Sequence, residues 1–447
     1  MTAVTQAVPL RPKVTKGAWW ALAVLSYFYV LSFMDRYILT MLVDPIKADL
    51  GLSDFEMGLI LGPAFGLVLG LFAVPCGLLA DRASRRNIIA SAVGFWSVAT
   101  MACGFANSFV MLFLARVGVG VGEAAISPAA TSLLADKFPR ERLTTAVAIY
   151  SSGSKLGSAS AYGLGGILLG VLGTTVLTIP VLGGFEPWQV VFILVGLPGA
   201  LSALLVYTFS EPPRLGRKSA EPPNVGLLFE FLKAHRSLLI PMYSGFALIT
   251  LCGNALLAWV PTFVSRHYGM DPAHFGPALG IVSFIAAPVL VLKGVIVDWI
   301  YSRGGKDAHL RFYSWLLFGT TPIAIVVFFM PDPWLFFALY GVLLVITIPS
   351  MMYLQACLAL LAPNELRGQL TGVGYTIYSI LGVGGGPTIV GALTNYAFHD
   401  EAKVGWSLAL VLGIGIPVGG ILLRLSMKPL RAAVAAAEAL DRRDAVA

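Results

Sequence analysis

Charge is what this sequence has least of. Asp, Glu, Lys and Arg make up 12% of its 447 residues, against about a quarter in soluble domains, and that excludes an ordinary water-soluble globule. Cysteine is nearly absent: Cys76, Cys103, Cys252 and Cys357 all lie in apolar runs, without the close spacing of a metal site. They read as small buried hydrophobes, so neither disulfides nor a metal centre are expected. The five histidines fall in the hydrophilic connections, and nothing pairs a nucleophile with a base, so enzyme chemistry has no support. A phosphate-cradling loop is missing too. The Gly-rich "GVGVGE" lies inside an apolar run with no Lys-Ser/Thr after it, so neither ATP driving nor another cofactor is implied.

What is present is apolar length. Hydrophobic residues make up 57% of the chain, mean hydropathy is +0.82, and twelve runs approach or exceed the roughly 20 residues that a helix needs to cross a bilayer. They lie near 18–43, 54–80, 87–106, 109–135, 143–172 and 188–209, then 238–264, 275–301, 310–330, 334–361, 368–396 and 404–425. Strands of a membrane barrel would need only about 10 residues each. The expected fold is therefore an all-α polytopic membrane protein of twelve transmembrane helices in two six-helix bundles, 18–209 and 238–426. A cytoplasmic segment, 1–17, precedes them, and the first run reads as an uncleaved anchor. The connection 210–237 holds Pro pairs and a possible surface amphipathic helix near 226–235, and a tail occupies 427–447. The apolar patch 176–182 suits a re-entrant or interfacial piece.

Most of the 30 Lys and Arg residues lie in alternate connections, and only Lys47, Arg266 and Lys403 fall on the other side. Cytoplasmic loops collect Lys and Arg, so both termini are expected in the cytoplasm. The basic balance then reflects topology and anionic lipid, with no need of nucleic acid. The halves also repeat. "GLLADRASRR" (77–86) follows the second run and "GVIVDWIYSR" (294–303) the eighth, while "FPRERL" and "APNELR" occupy matching places after the fourth and tenth. A parallel six-plus-six repeat with its site between the halves is a transporter architecture.

The motif G-x-L-A-D-R-x-x-R-R at 77–86 resembles the loop signature of the major facilitator superfamily, over essentially the whole chain. More narrowly, "SFMDRYILTMLVDPIKADLGLSD", "LARVGVGVGEAAISPAATSLLADKFP" and "WQVVFILVGLPG" resemble the bacterial spinster-like transporters. The resemblance implies a bacterial inner-membrane protein, substrates among lysophospholipids and sphingoid phosphates, and a cytoplasmic latch in which Asp81 and Arg85 work against the eleventh helix. We assign Arg82, Arg86, Arg142, Asp298, Arg303, Glu365 and Arg367 to the same gate. The fifth run lacks the Gly-Pro step of the superfamily's usual antiporter signature, which leaves the transport direction open.

Inside the runs, Asp35 and Arg36 stand side by side, and Arg116 and Glu123 stand seven residues apart on one helical face, about 10 Å along the axis. Intramembrane ionisable residues are functional candidates by default. By depth the four can meet in one layer, neutral overall, where protonating a carboxylate frees an arginine. The resemblance implies the same roles, with Asp35 and Glu123 as proton-responsive acids and Arg36 and Arg116 as their partners or as substrate contacts. Lys155 is a further contact candidate. Lys293 is expected to snorkel or to pair with Asp298. The second half offers Asn254, Trp259, Tyr353, Gln355, Tyr375 and Tyr378 as cavity lining. A cavity charged on one side and aromatic on the other suits an amphiphile.

The expected function is proton-coupled secondary transport of an amphiphilic, lipid-like or hydrophobic organic substrate, drugs included, by a monomer whose partners are its substrate, protons and membrane lipids. Import of a small organic anion is an alternative. A gradient-independent lipid scramblase or a transporter-like receptor is an alternative from another class.

Overall fold

A computed structural model describes residues 15–173, 177–179, 183–212, 225–347, 350–362 and 364–444. The twelve apolar runs are helical: α1 (Lys16–Met41), α2 (Asp54–Leu61, continued by Pro63–Arg82), α3 (Arg85–Cys103), α4 (Phe109–Ala124, continued by Ile126–Lys137), α5 (Arg140–Leu172) and α6 (Pro187–Ser202). The second half comprises α7 (Arg236–Tyr268), α8 (Pro272–Ser302), α9 (Ala308–Val326), α10 (Pro333–Thr347 and Ser350–Leu361), α11 (Asn364–Ile377 through Gly385–Ala392) and α12 (Val404–Asp444). Ten stretches are long and apolar enough to cross a membrane among the described residues. The shortfall from twelve has a simple origin. Helix α3 has 19 residues and opens on Arg85 and Arg86, and the longest part of α8 with its side chains described without a break is Pro272–Ala286.

Local chemistry sets the breaks. Thr15 caps α1 by accepting from the Ala18 N–H, and Ser53 and Glu56 form a reciprocal capping box at the start of α2. Pro128 cannot donate to the Ala124 carbonyl, and α4 is interrupted at Ala125. Helix α11 widens to a π-helical turn over Tyr378–Gly384, before Pro387. Two expectations change. The patch at 176–182 contributes Leu177–Ile179 to a short antiparallel ribbon with Gly183–Phe185, not to a re-entrant segment; the rest of it lies outside the described residues. The tail expected from 427 continues α12 as helix, and Arg431 on it bonds the buried Asp307 at 3.3 Å. In the connection between the halves, Val225–Ala234 is helical.

The halves meet on glycine. A Cβ on Gly62 of α2 would stand 2.2 Å from the Gly384 carbonyl of α11, and one on Gly166 of α5 would stand 2.3 Å from the Pro272 carbonyl of α8. Backbones can come that close only without side chains. The Ser379 hydroxyl donates to the Gly66 carbonyl at 2.7 Å, and Thr388 to that of Gly58 at 3.1 Å. Further along the same helices the contact is lost: sites at Gly77 of α2 and at Gly368 and Gly372 of α11 have nothing within 4 Å. The two bundles are thus closed at one end and parted at the other.

Ions clamp the closed end. Arg266, in the last turn of α7, donates to Asp44 at 2.7 Å and to Asp54 at 2.8 Å, and Lys47 bonds Asp54 and, at 2.8 Å, Glu401. Asp44, Lys47 and Asp54 belong to the first half; Arg266 and Glu401 belong to the second.

Replacing Gly166 by Leu is expected to force the closed end apart. Overpacking typically costs about 1–3 kcal/mol, enough to shift the balance of states by roughly 5- to 150-fold. With the four native cysteines replaced, labelling of a single cysteine at position 262, buried at the closed end, by an impermeant maleimide should accelerate accordingly; an unchanged rate would mean that the glycine contact does not set the closure.

Candidate functional site

Neighbouring residues on a helix point about 100° apart, and Asp35 and Arg36 use that angle to face different helices. Asp35 turns into the first bundle, where Thr100 of α3 donates to its Oδ2 at 3.1 Å. Arg36 turns toward α4 and donates from Nη2 to Glu123 Oε2 at 2.8 Å, an oxygen that also accepts from the Ser32 hydroxyl at 2.7 Å. The Arg36 guanidinium lies 4.5 Å from the Phe33 ring centroid and 4.4 Å from that of Phe65, so aromatic faces supply part of its environment.

The four expected charges lie close together, and Arg36 rather than Arg116 makes the ion pair with Glu123. Arg116 and Glu123 do not serve each other. Arg116 donates from Nη1 to the backbone carbonyl of Asp35 at 3.4 Å, and among the described residues no ion pair joins it to a carboxylate. Asp35, Arg116 and Glu123 are all buried. Even so, Asp35 Oδ1, Glu123 Oε1 and the Nε atoms of Arg36 and Arg116 find no hydrogen-bond partner. Buried polar atoms rarely go unpaired. A set that is neutral in sum but half-satisfied in bonds can accept a proton, a water or a substrate group without being dismantled.

The surroundings of this layer are aromatic. Tyr29, Phe33 and Tyr37 follow one another at four-residue steps on α1, with ring centroids 4.9 and 6.2 Å apart, and Tyr29 stacks on Tyr150 of α5 at 4.4 Å. From the second half, Tyr375 and Tyr378 stack at 5.8 Å, within electrostatic reach of Arg36. Asn254 is half-buried on α7, its amide bonded to the Thr250 carbonyl. Lys155 borders a cavity of about 20 Å³ between the halves with Tyr37, Ser158, Leu257 and Ser283, large enough for about one water.

Three expected cavity residues stand elsewhere. Trp259 is fully buried and donates to the Pro387 carbonyl at 2.9 Å, which ties α7 to α11. Tyr353 is buried against Tyr313, with centroids 4.5 Å apart. Gln355 is exposed. Lys293 neither snorkels nor pairs with Asp298, which is exposed. Instead it is buried and donates to the Val345 carbonyl at 2.7 Å.

At the parted end, Arg85 is buried inside the first bundle. It bonds Asp136, Glu211 at 3.2 Å and the Pro212 carbonyl at 2.9 Å. Arg86 donates to the Tyr207 carbonyl at 3.1 Å, Arg303 covers the Trp299 ring at 3.8 Å, and Arg367 donates to the Ala362 carbonyl at 3.3 Å. Arg82 and Arg142 are exposed, and the side chains of Asp81 and Glu365 lie outside the described residues. Among the described residues these gate candidates bond within their own half, because here the halves stand apart. Glu211 lies beyond the apolar stretches; burial opposes its charge, but the Ser84 hydroxyl and the N–H groups of Arg85 outweigh that and hold its carboxyl below the usual glutamate range.

Sequence reasoning did not find Ser32, Thr100, Phe65 or the aromatic ladder of α1. Ser32 and the ladder carry a signal in the four-residue spacing of "YFYVLSFMDRY"; Thr100 carries none.

The family model described as Major Facilitator Superfamily matches residues 25–387. A protein named MFS-type efflux pump from Mycolicibacterium smegmatis is 27% identical, over 89% of this chain and 89% of its own. A probable L-galactonate transporter from Escherichia coli is 26% identical, over 64% of this chain and 62% of its own. Among solved structures, a bacterial homolog of the human lysosomal transporter spinster, inward-facing and unoccupied, superposes with a TM-score of 0.75 at 24% identity, over 94% of this chain and 98% of that one. The chain thus resembles transporters, spinster's bacterial homolog among them, and not enzymes.

Two measurements probe the site. Glu123 is sealed, its side chain 1% exposed against 16% for Arg36, so Arg36→Met strands a buried carboxylate and should lower stability by about 3–5 kcal/mol. Glu123→Gln should cost clearly less, and the double variant should recover much of the loss in thermal unfolding in detergent; equal losses would reject the asymmetry. Because the Glu211 carboxyl titrates below its unfolded value of about 4.3, its stabilising contribution is complete above that pH and is lost as pH falls through the lower folded value. Glu211→Gln should therefore flatten the acid limb of the stability curve between about pH 5 and 3.

Proposed function

Because the chain belongs to the major facilitator superfamily, we propose that it is a secondary transporter that couples proton movement to passage of an amphiphilic organic substrate between its two halves. The observation that carries this reading is the half-satisfied Arg36–Glu123 pair set in an aromatic wall shared by α1 and α11. Protonating Glu123 removes the charge that holds Arg36 and frees the guanidinium for an anionic or polar head group. Tyr29, Phe33, Tyr375 and Tyr378 offer faces for an apolar body. Deprotonation reverses the exchange. Asp35, with one free oxygen beside Thr100, is the second acid of the relay, and Arg116 holds the α1 backbone in place. The name of the mycobacterial relative, an efflux pump, favours export.

The Lys and Arg distribution orients the molecule in this reading. The parted end, with Arg85, faces the cytoplasm together with both termini, and the end clamped by Arg266 faces out of a bacterial inner membrane. The state described is then open inward. The latch of Asp81 against α11 belongs to the opposite state, when the cytoplasmic ends of α2 and α11 close. One chain supplies both halves of the cavity, as a monomer would.

A second reading, import of a small organic anion, is favoured by Lys155, which borders the water-sized cavity without an ion pair among the described residues, and by the L-galactonate relative. Flux in proteoliposomes separates the readings. A labelled lysophospholipid should move faster under an imposed pH gradient, and Glu123→Gln should cut that response by at least about tenfold. Gradient-driven galactonate uptake with no lysophospholipid movement would select the second reading. Lysophospholipid movement indifferent to the gradient and to Glu123 would make the protein a scramblase.

A further inference from the structure

On the outer face of the second bundle, α8 and α10 enclose an apolar groove of about 430 Å³, lined by Val282, Ile285, Val289, Phe337, Gly341 and Val345 among others. It exists because α10 carries a glycine there: a Cβ on Gly341 would already stand 3.3 Å from Val282. Ile285 and Val342 on its rim are exposed, so the groove opens sideways toward the bilayer and not into the space between the halves. From Val282 to Val289 it follows α8 for about 10 Å at 1.5 Å per residue.

One end of this groove is chemically distinct. Val345 lines it, and the Val345 carbonyl accepts the single hydrogen bond of Lys293 Nζ, at 2.7 Å. Lys293 is 4% exposed and has no ion pair among the described residues. Its nitrogen lies 5.7 Å from the Tyr313 ring and 5.8 Å from that of Tyr353, whose hydroxyl is buried without a hydrogen-bond partner. A buried cation without a counter-charge is among the costliest groups to keep in a membrane bundle. Here two of its donors and a phenol beside it lack acceptors, at the end of a hydrocarbon-lined trough. The order along the helices matters as well. Lys293 lies on the side of the groove nearer the parted end, and the trough runs from it toward the middle of the bundle, the direction a chain takes from a lipid head group.

We propose that the α8–α10 groove and Lys293 form a lateral site for a single-chain anionic lipid drawn from the surrounding leaflet, with its acyl chain along α8 and its phosphate on the Lys293 ammonium and the Tyr353 hydroxyl. The site is separate from the Arg36–Glu123 layer and does not depend on which substrate that layer carries.

The test uses the full chain in phosphatidylcholine nanodiscs, with oleoyl lysophosphatidate as probe, oleoyl lysophosphatidylcholine as the zwitterionic control, and a lysophosphatidate whose chain ends in a diazirine for crosslinking. Lys293→Met should weaken lysophosphatidate binding at least about tenfold while Lys293→Arg stays within about threefold, and Gly341→Leu, which fills the groove, should weaken it comparably. Methionine replaces a buried charge with an apolar chain of similar length, a change that folded proteins tolerate. Crosslinks should fall on 282–289 and 337–346. Equal binding of the two lipids, an unchanged affinity in Lys293→Met, or crosslinks confined to α1 and α11 would each overturn the proposal. Crosslinks confined to α1 and α11 would do so while leaving the central cavity standing as a lipid site.

Discussion

A carboxylate sealed inside a membrane bundle must be protonated or paired with a cation, and in this protein the Arg36–Glu123 contact at 2.8 Å supplies the cation. Much else is arranged around it. The contact joins α1 to α4; Ser32, one turn before Arg36, fills a second site on the same oxygen; Phe33 and Phe65 sandwich the guanidinium. What the arrangement leaves out is as informative. One oxygen of each acid and the Nε of each arginine stay unpaired, so the layer is held together by charge more than by saturated hydrogen bonds. Charge is what a single proton changes.

Closure between the halves rests on different physics. At one end, backbone meets backbone at Gly62 and Gly384 and at Gly166 and Pro272, contacts without bulky side chains to repack, and Arg266 and Lys47 add ion pairs at the solvent edge. Such contacts are all or nothing: helices can separate along a seam of glycine without leaving stranded side-chain knobs behind. The π turn of α11 sits on this seam, where looser winding brings Ser379 within reach of the Gly66 carbonyl. A rocking motion about the central layer would break the seam at one end and allow a similar one to form along Gly77, Gly368 and Gly372 at the other.

The number and order of helices were legible because hydrophobic length is a local property. The charged layer was legible because ionisable residues in apolar runs are rare enough to stand out. Their partners were not. Depth placed Arg116 and Glu123 in one layer, but which neighbour each faces depends on helix rotation, and that is fixed by packing against α2 and α3. Thr100 is one hydroxyl among many. Two of the six C-half candidates stand elsewhere for a related reason: Trp259 and Tyr353 are large amphipathic side chains that suit a cavity wall and a helix interface equally well, and here they fill interfaces. Lys47 and Arg266 were noticed as exceptions to the charge bias, and both belong to the clamp at the closed end. The few charges found where most are excluded were the ones with structural work there.

The two halves solve the same burial problem in opposite ways. In the first, the central cations Arg36 and Arg116 lie beside the acids Asp35 and Glu123, a set that is neutral in sum. In the second, Lys293 has a carbonyl and two aromatic rings around it and, among the described residues, no ion pair, which leaves room for a counter-charge from outside the protein. A pair of pseudo-symmetric bundles is free to diverge in this manner because each need only match its partner along the glycine seam. The interior of one bundle can then serve proton exchange between fixed partners, while the outer flank of the other offers its charge to the bilayer.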